Sequence, residues 1–238
     1  MKKLLFVFFI ITGIAFAPDN SPHIDQSLWN ELLSNYVNDD GKVDYNGLSK
    51  NNAKLNSYTK MLSKNPPSAD WSKAESMAYW INTYNAFTVS LILKNYPLNS
   101  IMDINDGKAW DLKFIQIGGK NYSLNNIEHD ILRVKYPDPR IHFAVNCAAK
   151  SCPKLNNEAF TAENLEDNLS QLATEFINNN SKNELSANPI KVSKLFDWYK
   201  EDFTKKGSVI DYINKYSKTK VAASVNVEFM EYNWALNN

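Results

Sequence analysis

The most specific chemistry this sequence offers is that of a thiol, and it converges on one stretch, Arg140-Ile-His-Phe-Ala-Val-Asn-Cys-Ala-Ala-Lys-Ser-Cys-Pro153. That stretch holds both cysteines of the chain, Cys147 and Cys152, and one of its three histidines, His142. A cysteine nucleophile needs a base within reach and a third group to orient that base. The thiolate is the reactive form, so a neighbouring histidine or helix N-terminus must favour it. His23 lies close to the start of the chain, which leaves His129 and His142. His142 precedes Cys147 by five residues, and a strand through Ile141–Val145 would put the two on opposite faces. His129 belongs to another element and can approach from across a cleft, as cysteine–histidine partners usually do. The expected constellation is therefore Cys147 with His129 as base, oriented by Glu128, Asn85 or Asp202, with His142 nearby.

Each of these residues also has a structural explanation. Cys147 and Cys152 can form a disulfide that closes a small loop. Glu128 and His129 can belong to a helix network with Arg133, which follows at helical spacing. A zinc site from Cys147, Cys152, His142 and His129 is conceivable, but the Cys-x4-Cys spacing is loose for a knuckle. Asp103, Asp106, Gly107 and Asp111 hint at a calcium loop without its regular spacing or terminal Glu. The sequence contains no phosphate-binding glycine loop, dinucleotide fingerprint or Gly-x-Ser-x-Gly elbow, so no motif calls for a cofactor.

Several elements must position the stretch. The strongest is a helix over Ser72–Asn95, capped by Asp70 or Ser72 and stopped by Pro97. Met77, Trp80, Ile81, Tyr84 and Phe87 mark one apolar face, and Ala78, Val89 and Ile92 another. The helix is thus expected to be buried on most sides, with Asn82 and Asn85 needing partners there. Helices are also expected over His23–Val37, Asn51–Leu62, Asn125–Lys135, Thr161–Asn178 and Ser208–Tyr216, with a helical turn at Leu195–Phe203. Leu112–Ile117 and Asn121–Leu124 flank Gly118-Gly119 as a β-hairpin. Lys42–Tyr45 reads as extended, Glu184–Ser193 as a strand pair, and Val225–Trp234 as a closing strand. These elements give an α+β fold: one mostly helical domain over 18–238 with a small antiparallel sheet.

Hydrophobic residues make up 44% of the 238-residue chain, which places it among packed globular proteins rather than disordered ones. Basic and acidic residues balance at 26 each, so there is no cationic excess for a nucleic-acid backbone. The six Trp and twelve Tyr serve a large aromatic core or line a cleft. Lys2 and Lys3, the apolar run Leu4–Ile14 and Ala15-Phe-Ala17 read as a secretory signal peptide over 1–17. The expected location is secreted or periplasmic, with no membrane span after removal of the leader. In an oxidising compartment two cysteines commonly pair, so a disulfide and a free thiol stand as alternatives.

Five segments carry a family likeness. They are Tyr79-Trp-Ile-Asn-Thr-Tyr-Asn-Ala86, Ser123–His129 with Ile131-Leu-Arg133, Ile141–Cys147 through Cys152-Pro153, Phe196–Tyr199 with Asp202-Phe203, and Tyr232–Asn237. Together they resemble the domain-of-unknown-function family 547, over nearly all of the chain beyond the leader. The resemblance implies shared positions at Trp80–Ala86, Ile127-Glu128-His129, Leu132-Arg133 and His142–Cys147. It also implies that Cys147 is more widely kept than Cys152, since plant-like members replace the second cysteine. It supplies no activity. Two functional readings follow from the residues. One is a cysteine-dependent hydrolase or acyl transferase, comparable to papain or transglutaminases by analogy of site alone. The other is a non-enzymatic cell-envelope domain with a Cys147–Cys152 staple, in which Trp80, Trp198 and Tyr199 belong to the core or to a binding surface. In either case the expected ligand is a small molecule, peptide or glycan.

Overall fold

A computed structural model describes residues 24–238. The signal-peptide reading and His23 lie outside the described residues. The chain opens with helices α1 (Ser27–Tyr36), α2 (Tyr45–Lys50) and α3 (Asn52–Lys64). Lys42–Tyr45 is extended only in part. Val43 bridges Val37, whereas Tyr45 already begins α2, whose first turn is capped by Asp44 accepting from the Gly47 amide at 2.8 Å.

Helix α4 (Lys73–Asn95) runs through the centre of the molecule. Ser72 accepts from the Glu75 amide, and Glu75 accepts in return from the Ser72 amide, so two orphan donors of the first turn are satisfied. Every residue from Ser76 to Val89 is buried, as the two apolar faces predict. Within that span Thr83 and Thr88 return their hydroxyls to the helix's own carbonyls. Asn82 and Asn85 instead reach outward. Asn82 donates to Phe160 O at 2.7 Å and accepts from Phe160 N at 3.0 Å. Asn85 donates to Ala144 O at 2.9 Å and accepts from Asn146 N at 2.8 Å. Each amide closes a ring on backbone groups that no helix or strand ladder satisfies, which explains a polar residue in a fully buried helix.

Strands β1 (Ile115–Ile117) and β2 (Lys120–Tyr122) form the expected antiparallel hairpin. Gly118 and Gly119 turn it at φ +55° and +77°, a pair of left-handed positions that favours glycine. The following helix is not regular. Asn126–Leu132 is a π-helical stretch that returns to α geometry as α5 (Arg133–Lys135).

The apolar run after Pro139 is a short helix, α6 (Ile141–Ala144), and not a strand. Tertiary contacts hold it. Arg140 forks onto Asp138 and also reaches Glu166 at 2.8 Å and Ser170 at 2.9 Å. Both belong to α7 (Leu165–Ile177), against which α6 packs.

Strand β3 (Ile190–Val192) pairs in parallel with β4 (Val227–Phe229). The strand pair expected within Glu184–Ser193 is reduced to one antiparallel bridge, Glu184 to Lys191. Helices α8 (Leu195–Trp198), α9 (Lys200–Phe203) and α10 (Val209–Tyr216) lie between β3 and β4. The fold is α+β, mainly helical, with one antiparallel and one parallel two-stranded sheet. Buried apolar side chains from Ile24 to Leu236 form one connected core. Among the described residues no helix is long and apolar enough to cross a membrane.

The clamps of α4 differ in weight from its cap. Asn82→Ala strands a buried N–H and a buried C=O, at about 1–3 kcal/mol each. Ser72→Ala removes one exposed cap at about 1 kcal/mol. Urea unfolding is expected to rank Asn82→Ala well below Ser72→Ala. Equal losses would show that the Phe160 loop finds other partners.

Candidate functional site

A cavity of about 280 Å³ opens beside α4. Cys147, Cys152, Glu128 and His142 share its wall with Tyr84 and Tyr199. Its rim is aromatic. Tyr232 and Trp234 pack at 4.4 Å between ring centroids, Trp198 lies 4.8 Å from Tyr232, and Trp110 lies 5.6 Å from Trp234.

Cys147 and Cys152 are joined by a disulfide, with Cα atoms 6.1 Å apart. Both sulfurs face the Tyr232 hydroxyl, at 3.2 and 3.3 Å. The pairing leaves neither thiolate to a zinc ion, and among the described residues no group of three or more His, Cys, Asp or Glu side chains could hold a metal. The loop is held from several sides. Asn146 donates to Pro153 O at 2.7 Å and accepts from Ala148 N at 2.9 Å. Lys150 N donates to Ala235 O at 2.7 Å, and Asn237 N to Ala148 O at 3.1 Å. These bonds hold Ala148, next to Cys147, at φ +60°, where a residue with a Cβ is strained by roughly 1–2 kcal/mol.

His142 is 2% exposed and lies flat against Tyr199, with ring centroids 3.8 Å apart. Its Nε2 lies 2.9 Å from Asp202 Oδ2. The same oxygen accepts from Arg133 Nε at 2.6 Å, and Oδ1 accepts from Lys205 Nζ at 3.1 Å. The His142 contact, with the Arg133 and Lys205 bonds, holds the Asp202 carboxyl well below the usual carboxylate range despite its burial. Burial pushes the His142 imidazole down, against the pull of Asp202. A neutral ring facing a carboxylate carries its proton on Nε2, because the carboxylate can only accept. Nδ1 is then a bare lone pair, and that atom is buried with no hydrogen-bond partner.

His129 is arranged differently. Its Nδ1 lies 3.0 Å from Arg133 Nη1, a group that can only donate, so its lone pair is taken. It packs against Tyr199 at 6.2 Å and is not among the residues that line the cavity. Glu128 is 4% exposed and accepts a short hydrogen bond from Tyr199. Burial, then the Glu128 charge, push the Tyr199, Tyr84 and Tyr232 hydroxyls up, so all three are neutral donors. The structure thus brings Cys147, His142 and Glu128 to one cavity. It places Asn85 behind them as a backbone clamp. No strand sets His142 and Cys147 on opposite faces, because Ile141–Ala144 is helical. The position of Asp202 had no sequence signal linking it to His142, 60 residues earlier.

Residues 68–177 match the family model described as Protein of unknown function, DUF547. The likeness read from the motifs is to this family. No curated protein and no solved structure matches the chain. The DUF547 match takes in α4, Glu128, His129, His142 and both cysteines. It ends before Tyr199 and the Tyr232–Trp234 rim, which complete the cavity, and before Asp202, which holds His142 from behind.

The two ionisation shifts set a pH dependence. His142, lowered in the fold, resists a proton that the unfolded chain takes up near pH 6.5. Its neutral state therefore supports the fold above that pH, and the support is lost as pH falls below it. Asp202 adds a further loss as pH falls below about 3.9. Denaturant midpoints are expected to fall between pH 7 and pH 5, and His142→Gln is expected to flatten that fall. An unchanged slope would show that His142 protonates as readily in the fold as outside it.

Proposed function

We propose that the protein is a thiol-dependent hydrolase or acyl transferase whose nucleophile, Cys147, is released by reduction of its bond to Cys152. The observation that carries this reading is the unpartnered Nδ1 of His142, in a ring oriented by Asp202, beside the cavity that holds the Cys147 sulfur. Two equivalents of an external thiol reduce the disulfide and leave as their own disulfide. The freed Cys147 thiol passes its proton to Nδ1, and Asp202 stabilises the imidazolium so formed. The thiolate attacks a carbonyl carbon, and a C–S bond forms. The C–N or C–O bond to the leaving group breaks as that group takes the proton from His142. Water, or another acceptor, then attacks the thioester with Nδ1 as base, which restores the thiol. In this reading His142, rather than His129, is the base. Residues 1–17 act as a secretory leader, so the chain works where a disulfide can form.

The disulfide also favours a second reading, a non-enzymatic envelope domain in which it is a staple. Closing so short a loop stabilises a fold by about 2 kcal/mol in the chain-entropy model.

Alkylation of the reduced protein with iodoacetamide separates the two. The enzyme reading expects one fast thiol at neutral pH, absent in Cys147→Ser. His142→Ala and Asp202→Asn should slow it about tenfold or more, and His129→Ala should leave the rate unchanged. A rate that follows His129→Ala instead would return the base to His129. Slow alkylation of both thiols would favour the staple.

A further inference from the structure

We propose that Glu128 and the aromatic rings around it form a subsite for the alkylammonium group of a cationic ligand. The inference rests on the same cavity being the working site, and it needs no reactivity of the thiol.

Among the described residues Glu128 makes no ion pair. Arg133 feels its charge, but the Arg133 guanidinium is committed to Asp202 and His129. His142 is neutral and turns Nε2 to Asp202. Glu128 thus has tyrosine donors and no cation in direct contact. A carboxylate removed from water without a cation paired to it is costly. A cationic guest in the cavity would offset that cost by giving the carboxylate an ammonium donor.

The walls suit the same guest. Tyr84, Trp110, Trp198, Tyr199, Tyr232 and Trp234 all line the cavity. The faces of Trp and Tyr attract cations within about 6 Å, and Trp does so most strongly. Trp198 is 45% exposed at the mouth, while Glu128 is 4% exposed within. An entering amine would meet aromatic faces first and the carboxylate last. The cavity of about 280 Å³ is at the small end of ligand sites, which fits one amino-bearing chain and excludes a bulky head. An anion would meet the Glu128 charge, and a neutral alcohol would gain neither the ion pair nor the cation–π contact.

The three lining tryptophans give a direct readout. The purified, disulfide-intact protein is titrated at fixed ionic strength with n-butylammonium chloride, 1-butanol and sodium butyrate, and tryptophan fluorescence is followed. The proposal expects saturation with the ammonium at an affinity at least about tenfold above that for the alcohol, and none with butyrate. Glu128→Gln should remove that preference. Trp198→Leu, a change at the exposed rim, should weaken ammonium binding several-fold while the protein stays folded by far-UV circular dichroism. Equal affinities for ammonium and alcohol would overturn the proposal, as would a folded Glu128→Gln that keeps the preference. If Glu128→Gln does not fold, the native comparison and Trp198→Leu decide. Ammonium selectivity without a fast thiol after reduction keeps the subsite and removes the thiol chemistry. A fast thiol without ammonium selectivity does the reverse.

Discussion

The Asp202 carboxylate accepts from Arg133 and Lys205 and meets His142 Nε2 at 2.9 Å. Three donors around one carboxylate keep it ionised, and an ionised carboxylate can only accept. His142 must therefore hold its proton on the nitrogen facing Asp202. Burial lowers the imidazole's affinity for a second proton, so the other nitrogen keeps its lone pair. The chemical character of the cavity depends on this one contact. With the proton on the other nitrogen, Nε2 would set a lone pair against the Asp202 carboxylate and Nδ1 would have none to offer.

The remaining structure holds that contact and the sulfur in place. Helix α4 carries Asn85, whose amide fixes the backbone on both sides of Val145, between His142 and Cys147. The C-terminal segment pairs with the loop that follows Cys147 and brings Tyr232 to both sulfurs. Tyr199 links the two ends of the cavity, since its ring stacks on His142 and its hydroxyl donates to Glu128. A strained Ala148 beside Cys147 is tolerable because Asn146 and Asn237 determine its backbone from both sides.

Much of the scaffold was legible in local patterns. Ser72, one of two cap candidates, begins α4, the two faces of α4 show its burial, and Gly118-Gly119 makes the hairpin. The need of Asn82 and Asn85 for partners was legible as well, although the partners were not. Ile141–Val145 was misread because a short apolar run fits a strand or a buried helical turn equally well. Its conformation is set by Arg140 gripping Asp138 and α7, which no local pattern records. With a helical turn there, the strand geometry that would set His142 and Cys147 on opposite faces does not apply. The pairing of His142 with Asp202 joins α6 to α9 across 60 residues, and only the fold supplies it. The π-helical stretch over Asn126–Leu132 likewise has no sequence signature.

The site turns on which nitrogen of His142 carries the proton. Heteronuclear NMR of ¹⁵N-histidine-labelled, disulfide-intact protein at neutral pH reads it directly through the ring nitrogen shifts and their couplings. The account predicts a neutral His142 protonated at Nε2 and bare at Nδ1, with Asp202→Asn disturbing that preference. A neutral His142 protonated at Nδ1 would contradict it.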